Sequence, residues 1–521
     1  MKNVLEYLEN SAAISPDKAA VRDPENCYSY SELIRRAQAV GSGLLREEEN
    51  DETSQSAYRG RAGRSTVVFM EKSVQALASF LGIVYAGRFY TYISPEQPAA
   101  RIRQILEVLR PDTVITDSEA RAGDKLTEAG FSGRVLDYDM LCQKGISSEA
   151  LAEVRARAAD TDPLYCNFTS GSTGVPKGVL VSHRSVIDFI GVFPNLFEIT
   201  RDDVIGNQAP FDFDVSVKDI YSSLRMGATL VLIPKRYFSL PAQLIDYLCE
   251  QEVTTLIWAV SALCMVTQLK GFTYRVPEKI DKVLFSGEAM PVKHLNLWRK
   301  YLPDAQYVNL YGPTEITCNC TYYRVNREFG PEEKIPAGRP FPNEKVFLLR
   351  VVPEGDETEE ITAPNMTGEI CVAGTALALG YYRNPQQTAK VFVQNPLNSD
   401  YPETIYRTGD LGFYDDEGNL CFAGRLDFQI KHMGHRIELE EIELILNGYD
   451  EIGRAVCIFD EEKDRLIACY AGDIDGKTIR SKMQKTVPMH MIPQVFRQLA
   501  QLPMTANGKI DRKELRARFI K

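Results

Sequence analysis

The sequence lacks an apolar run of about 18 residues, the length a membrane-crossing helix requires, so no span is expected. Its N-terminus, MKNVLEYLEN, carries acidic residues where a signal peptide would be apolar. Both absences point to a cytoplasmic protein. Basic excess is lacking too: the formal net charge is -11. Phosphate backbones are bound by basic faces, so no nucleic-acid partner is expected. No pair among the 11 cysteines has CxxC spacing, and Cys318 and Cys320 are only two apart. An odd, scattered set reads as free thiols, not as a disulfide framework or a zinc site. Internal repeats and low-complexity segments are also missing.

At 521 residues and 44% hydrophobic, the chain is long for one core, and a large domain plus a smaller one is expected. Residues 46–64 are polar and charged and read as a surface loop or insertion. Beyond them, short β-branched runs (STVVFM, TVIT, ATLVLI, TTLIWA, DKVLF) alternate with amphipathic helical patterns (QALASFLGIVYAG, AARIRQILEVL, PAQLIDYLCEQ). That alternation predicts α/β architecture with largely parallel sheets. After about Gly424 the pattern changes to helix, two strands and helix, which suggests a small α+β C-terminal domain. From Lys477 to Lys521 there are eleven Lys/Arg and two Asp/Glu. A basic stretch on an acidic chain is either a solvated face or a surface for an anionic partner.

The densest chemical signal is Thr169-Ser170-Gly171-Ser172-Thr173-Gly174-Val175-Pro176-Lys177-Gly178. Glycines let backbone N–H groups approach an anion, the hydroxyls add donors, and Lys177 adds positive charge. Pro176 between the last loop glycine and the lysine departs from the GxxxxGK[ST] kinase-type loop. The run therefore reads as a phosphate loop of another kind.

This loop resembles the signature of the acyl-adenylate-forming (AMP-binding) superfamily, which includes acyl-CoA synthetases, luciferases and nonribosomal peptide adenylation domains. Further motifs follow in the family's order along nearly the whole chain: LASFLGIVYAG, FDFDVSVKDIY, NLYGPTE, GEICVAG with GYYRNP, YRTGDLG, GRLDFQIK with GHRIELEEIE, and NGKIDR. Several are very similar to segments of the stand-alone D-alanine–carrier-protein ligases. The resemblance implies a large N-terminal adenylate-forming domain over 1–425, with parallel-sheet layers, helices and a small barrel-like subdomain. It implies a hinge over 426–430 at Asp427, and a mobile α+β domain over 431–521. The reaction implied is attack of a carboxylate on the α-phosphate of ATP.

The same resemblance assigns roles. Thr169, Ser170, Gly171, Ser172, Thr173, Gly174 and Lys177 would surround the β/γ-phosphates. Within Asn309-Leu310-Tyr311-Gly312-Pro313-Thr314-Glu315, Tyr311 would stack on adenine, Asn309 would lie at its edge, Thr314 would reach the α-phosphate, and Glu315 would hold Mg2+. Asp410 and Arg425 would contact the ribose. Lys509 would bridge the substrate carboxylate and the α-phosphate, and Gly434 would replace it at the site in a second half-reaction.

Asp214 matches the carboxylate that pairs with the substrate ammonium in amino-acid-activating members. Its alternatives are a helix N-cap or a structural salt bridge. Val215, Trp258, Ser286, Leu310, Cys318 and Lys509 align with the rest of the substrate pocket, together with Lys218, Leu284 and Asn319. Trp258 reads equally as pocket wall or core. Lys218 either faces an acidic side chain or lines the rim with its ammonium in water. The large Trp258 and Leu310 imply a small substrate, alanine or serine. D-alanine ligases carry Cys where Ser286 stands, so chirality stays open. Expected requirements are ATP and Mg2+. No phosphopantetheine-serine motif appears before the sequence ends, soon after Lys509, so an acyl or peptidyl carrier protein is expected in trans. An acyl- or aryl-CoA ligase on the same scaffold is the other reading.

Overall fold

The computed structural model describes residues 1–49, 63–171, 174–331, 333–351, 358–504 and 510–520. The β-branched runs are strands. Thr113–Thr116, Thr229–Leu232, Thr255–Ala259 and Lys282–Ser286 are buried at every position, as strands covered on both faces must be. They belong to two large sheets. One has nine strands, and its six central strands, from Gln306–Tyr311 through Lys282–Ser286, Thr255–Ala259, Val204–Asn207 and Thr229–Leu232 to Ala19–Arg22, run parallel. The other has seven strands, parallel from Pro163–Thr169 to Arg134–Asp137. The largest core draws on both sheets and on the helices Tyr30–Glu49, Val74–Tyr85, His183–Leu196 and Val215–Met226. Val74–Tyr85 is capped by Ser73 and buried at every position but Gln75, as a helix that is apolar almost all round must be.

A third, six-stranded antiparallel sheet is built from residues 344–425. It is the strand-rich subdomain expected from the motifs. After it come the hairpin Gln429–His432/His435–Glu438, the helix Leu439–Asn447, and a three-stranded sheet with its own core around Ile442, Leu446, Cys457 and Leu466.

Two expectations need adjusting. The helix Tyr30–Glu49 runs through residues 46–49, so the segment assigned to a loop begins as helix; residues 50–62 lie outside the described residues. The C-terminal basic stretch is partly neutralised from elsewhere: Lys482 pairs with Glu451, and Arg512 with Glu443. All eleven cysteines are free thiols. Among the described residues, no helix is long and apolar enough to cross a membrane.

Candidate active site

The strands ending at Asn207, Ala259, Ser286 and Tyr311 deliver their following loops to one place, the region where open parallel sheets receive ligands. Beyond Tyr311 the backbone reverses tightly. A Cβ on Gly312 would come within 2.5 Å of Asn319 Cα, so only glycine fits. Thr314–Ile316 form a single 3-10 turn, and Thr317 and Cys318 follow with φ of 57° and 84°. Two consecutive non-glycine residues in the left-handed region are strained. The Cys318 Sγ–H donates to Asp214 O at 2.9 Å, and Thr317 Oγ1–H to Ala376 O at 2.6 Å, which hold the turn.

Glu315 on this turn is fully buried. The Tyr381 hydroxyl donates to its Oε1 at 2.7 Å, and Arg436 Nη1 pairs with its Oε2 at 2.7 Å. Burial pushes its carboxyl up, but the charges of Arg436 and Lys177 and the Tyr381 hydroxyl hold it below the usual range. The nearby Tyr311 donates its hydroxyl to Asp410 Oδ2 at 2.5 Å. Arg425 lies opposite Asp410 in the strand register, pairs with its other oxygen, and also pairs with Asp427. Asn309 donates to Pro336 O at 2.8 Å.

The glycine-rich run joins two antiparallel strands, Pro163–Thr169 and Lys177–Ser182, with Thr169 paired to Lys177. No helix starts here, unlike a kinase-type loop. A Cβ on Gly171 would lie 2.0 Å from Val175 O. The Thr169 hydroxyl is buried without a partner among the described residues. Ser170, Gly171 and Lys177 are engaged by the C-terminal hairpin and helix. Ser170 Oγ–H donates to Arg436 O and accepts from Glu438 N–H, Gly171 N–H donates to Glu441 Oε2, and Lys177 Nζ pairs with Glu438 Oε1 at 3.1 Å. Ser172, Thr173 and Lys509 lie outside the described residues.

The hairpin tip reaches the sheet ends. Gly434 has φ +80°, its N–H donates to Glu288 Oε1 at 2.7 Å, and its Cα lies beside Gly287 and Ala259. Lys431 sits 5.7 Å from the Tyr311 ring centre, half-buried, with its pKa pushed down by desolvation.

Asp214 stands at the N-cap of Val215–Met226 but makes no cap hydrogen bond. It forms no ion pair among the described residues. Burial raises its pKa, and the neighbouring Thr314 hydroxyl opposes the rise. Both alternatives weighed for this residue, cap and structural salt bridge, are absent in that sense. Val215 beside it, Cys318, whose thiol donates to its carbonyl, and Leu310 are buried.

One pocket expectation is corrected, and one reading left open is narrowed. Trp258 is paired with Phe285 in the parallel register, while Ala259 is paired with Ser286. Side chains alternate between faces along a strand, so Trp258 points away from Ser286, into a core against Phe238 and Trp298, with Nε1–H bonded to Gly206 O. Lys218 is 0% exposed, so its ammonium is not in water at the rim. It donates to Asn319 Oδ1 at 2.6 Å and to Ser286 Oγ at 3.3 Å.

With this geometry in place, comparison with known proteins is informative. The family model described as "AMP-binding enzyme" matches residues 8–382. The chain belongs to the AMP-binding enzyme family. Tyrocidine synthase 1 of Brevibacillus parabrevis is 31% identical over 99% of the chain, which spans only 45% of that relative's length. Zwittermicin A synthase ZmaJ of Bacillus cereus is 31% identical over 98% of the chain and 94% of its own length. The Vibrio cholerae adenylation domain AlmE, solved with glycyl-adenosine-5'-phosphate, shares the fold at TM-score 0.82 and 21% identity, covering 99% of this chain and 98% of that one. AMP-binding enzymes use ATP, and this one is accordingly an AMP-forming ligase at the family level.

Sequence reasoning missed Lys431, Arg436, Glu288 and Tyr381. The signal for two of them was present. In the hairpin, Ile430 pairs with Ile437 and both pack toward the C-terminal core, while Lys431 pairs with Arg436 on the opposite face. Period-two alternation in QIKH and HRIE sends those charges to the AMP-binding site.

Proposed function

We propose that this chain activates a small amino acid as its aminoacyl-AMP, releasing pyrophosphate, and then passes the acyl group to the phosphopantetheine thiol of a separate carrier protein. The observation that carries the amino-acid part is Asp214. It is a buried carboxylate with no cap bond and, among the described residues, no ion pair, beside Thr314 at the strand ends. A buried carboxylate calls for a cation, and a substrate ammonium supplies one.

In the first half-reaction a carboxylate oxygen of the amino acid attacks the α-phosphorus of ATP. The bond from that phosphorus to the bridging oxygen breaks, and pyrophosphate leaves with the electron pair. Two anions meet, so neutralisation and positioning carry most of the catalysis. The 169–178 loop with Lys177 would receive the β- and γ-phosphates, Tyr311 would face adenine, and Asp410 would accept the ribose hydroxyls. Thr314 and Lys509 would serve the α-phosphate. Glu315 fits Mg2+: it is held ionised, and a guanidinium already takes the cation's place at Oε2. Magnesium there would supply charge neutralisation of phosphate oxygens. Asp410 already accepts from Tyr311 and Arg425, yet each carboxylate oxygen keeps a second lone pair for a ribose hydroxyl.

In the second half-reaction the carrier thiol attacks the acyl carbon, the proton leaves the sulfur, and AMP departs. The hairpin contacts suit this stage, because Glu438, Glu441 and Arg436 occupy the groups that triphosphate and metal would use. We place the turn between the two stages at Asp427.

The test is amino-acid-dependent ATP–pyrophosphate exchange with D- and L-amino acids, fatty acids and aryl acids. Exchange with an amino acid is expected; exchange confined to fatty or aryl acids supports the CoA-ligase reading instead.

A further inference from the structure

The helix Val215–Met226 presents an acid and a base one turn apart. Asp214 precedes it and Lys218 is four residues on, so both side chains leave the same face. They form no ion pair with each other. Asp214 turns to Thr314, and Lys218 turns to Asn319 and Ser286. Both partners of Lys218 are neutral. Neighbouring Asp219 accepts from Asn207 instead, at 2.6 Å, and the Cys318 thiol is held protonated by burial. An ammonium has three donors, and two are used. Asp214 and Asp219 act on Lys218 only at longer range, and a buried ammonium whose hydrogen-bond partners are all neutral is costly; a methionine would fill the same volume without that cost.

We infer that Lys218, with Asn319 and Ser286, receives an anionic group on the substrate side chain, so that the substrate is a short dicarboxylic amino acid of the aspartate class. This rests on Asp214 as the partner of the α-ammonium. The two fixed charges then match a zwitterion that carries one further carboxylate. Asp214 holds the ammonium, Lys218 the side-chain carboxylate, and the α-carboxylate is left for the phosphate. Leu284 shares a strand face with Ser286 and is buried, an apolar neighbour that suits a short side chain better than a long polar one. Alanine, with no acceptor, would strand the ammonium. Asparagine has the shape without the charge.

ATP–pyrophosphate exchange on the full chain with both enantiomers of aspartate, glutamate, asparagine, alanine and serine tests this. One aspartate enantiomer should exceed asparagine and alanine in kcat/KM by about 100-fold or more, as a buried polar site rejects an analogue that leaves it unpaired. Lys218→Met should erase that preference. If alanine, serine, asparagine or glutamate is turned over best, the inference is overturned and amino-acid activation stands. If no amino acid supports exchange, the reading of Asp214 falls as well. Should Lys218→Met not fold, the aspartate-to-asparagine ratio of the unaltered protein decides.

Discussion

Arg436 Nη1 lies 2.7 Å from Glu315 Oε2 in a pair whose carboxylate is wholly buried, and the two residues come from opposite ends of the site. The same carboxylate suits a metal ion. The ion pair and metal binding are therefore alternatives, and so are Lys177 on Glu438 and Lys177 on a phosphate. The hairpin and the charged end of ATP compete for one set of groups.

Removing Arg436 should separate the half-reactions. In the arrangement described here, Arg436→Ala removes the ion-pair partner of the buried Glu315 and leaves it only Tyr381 and the more distant Lys177; breaking a buried pair costs about 3–5 kcal/mol. ATP–pyrophosphate exchange, which uses Glu315 without Arg436, should stay within about threefold, while transfer from supplied aminoacyl-AMP to a carrier thiol should fall by about 100-fold. Equal loss in both assays would mean that Arg436 also serves the first step.

Lys509 predicts the opposite pattern. Lys509→Ala should lower exchange by about 100-fold or more, because a charge placed between two reacting anions stabilises the transition state. Thioester formation from supplied aminoacyl-AMP should be spared. A matching loss in both half-reactions would remove the role given to this lysine.

Asp427 has a measurable place in the chain. Its carboxylate pairs with Arg425 and accepts from Gln429 N–H at 3.1 Å, so it ties the end of the antiparallel sheet to the start of the hairpin. Proline here fixes φ and restricts Leu426. Asp427→Pro should slow thioester formation far more than exchange, and Asp427→Ala, which loses the ion pair but keeps backbone freedom, should lie between. If the alanine and proline variants behave alike, the ion pair and not the turning of the backbone is what matters.

These residues also show where sequence reading runs out. The strands and helices were legible because β-branched runs and helical periods are local signals; Lys282–Ser286 and Ala99–Leu109 fall where the pattern puts them. The loop at 169–178 and the turn at 311–315 were legible as motifs. Trp258 was not, since which face a buried strand turns to the pocket depends on its register with a neighbour 27 residues away. Lys218 stayed between two readings for a similar reason. Long cationic side chains ordinarily reach water, and only the tertiary placement of Asn319 and Ser286 shows that this one does not. The grip of Arg436 on the turn and of Glu438 on the loop joins residues more than a hundred positions apart, beyond any local pattern.

A pH dependence follows from His435 and His490, whose rings stack 3.7 Å apart at 3°, with His435 also against Phe213. Burial pushes the His435 pKa from 6.5 down to about 4, with Lys235 and His432 adding to the fall. His490 is pushed well below its usual value by burial and by His435, Arg101, His432 and Lys235. Both rings are therefore neutral in the folded chain, whereas exposed histidines would bind protons below about pH 6.5. Wherever the unfolded chain binds more protons, stability rises with pH. The contribution is thus fully present above about 6.5 and is lost as pH falls toward about 4. The hairpin bearing His435 should loosen from the sheet ends over that window, so carrier loading should decline between pH 6.5 and 5 more steeply than exchange. Hydrogen exchange across residues 429–438 measures the loosening directly. The His435→Gln, His490→Gln double variant should flatten both profiles in that range; an unchanged slope in the variant would assign the effect to other groups.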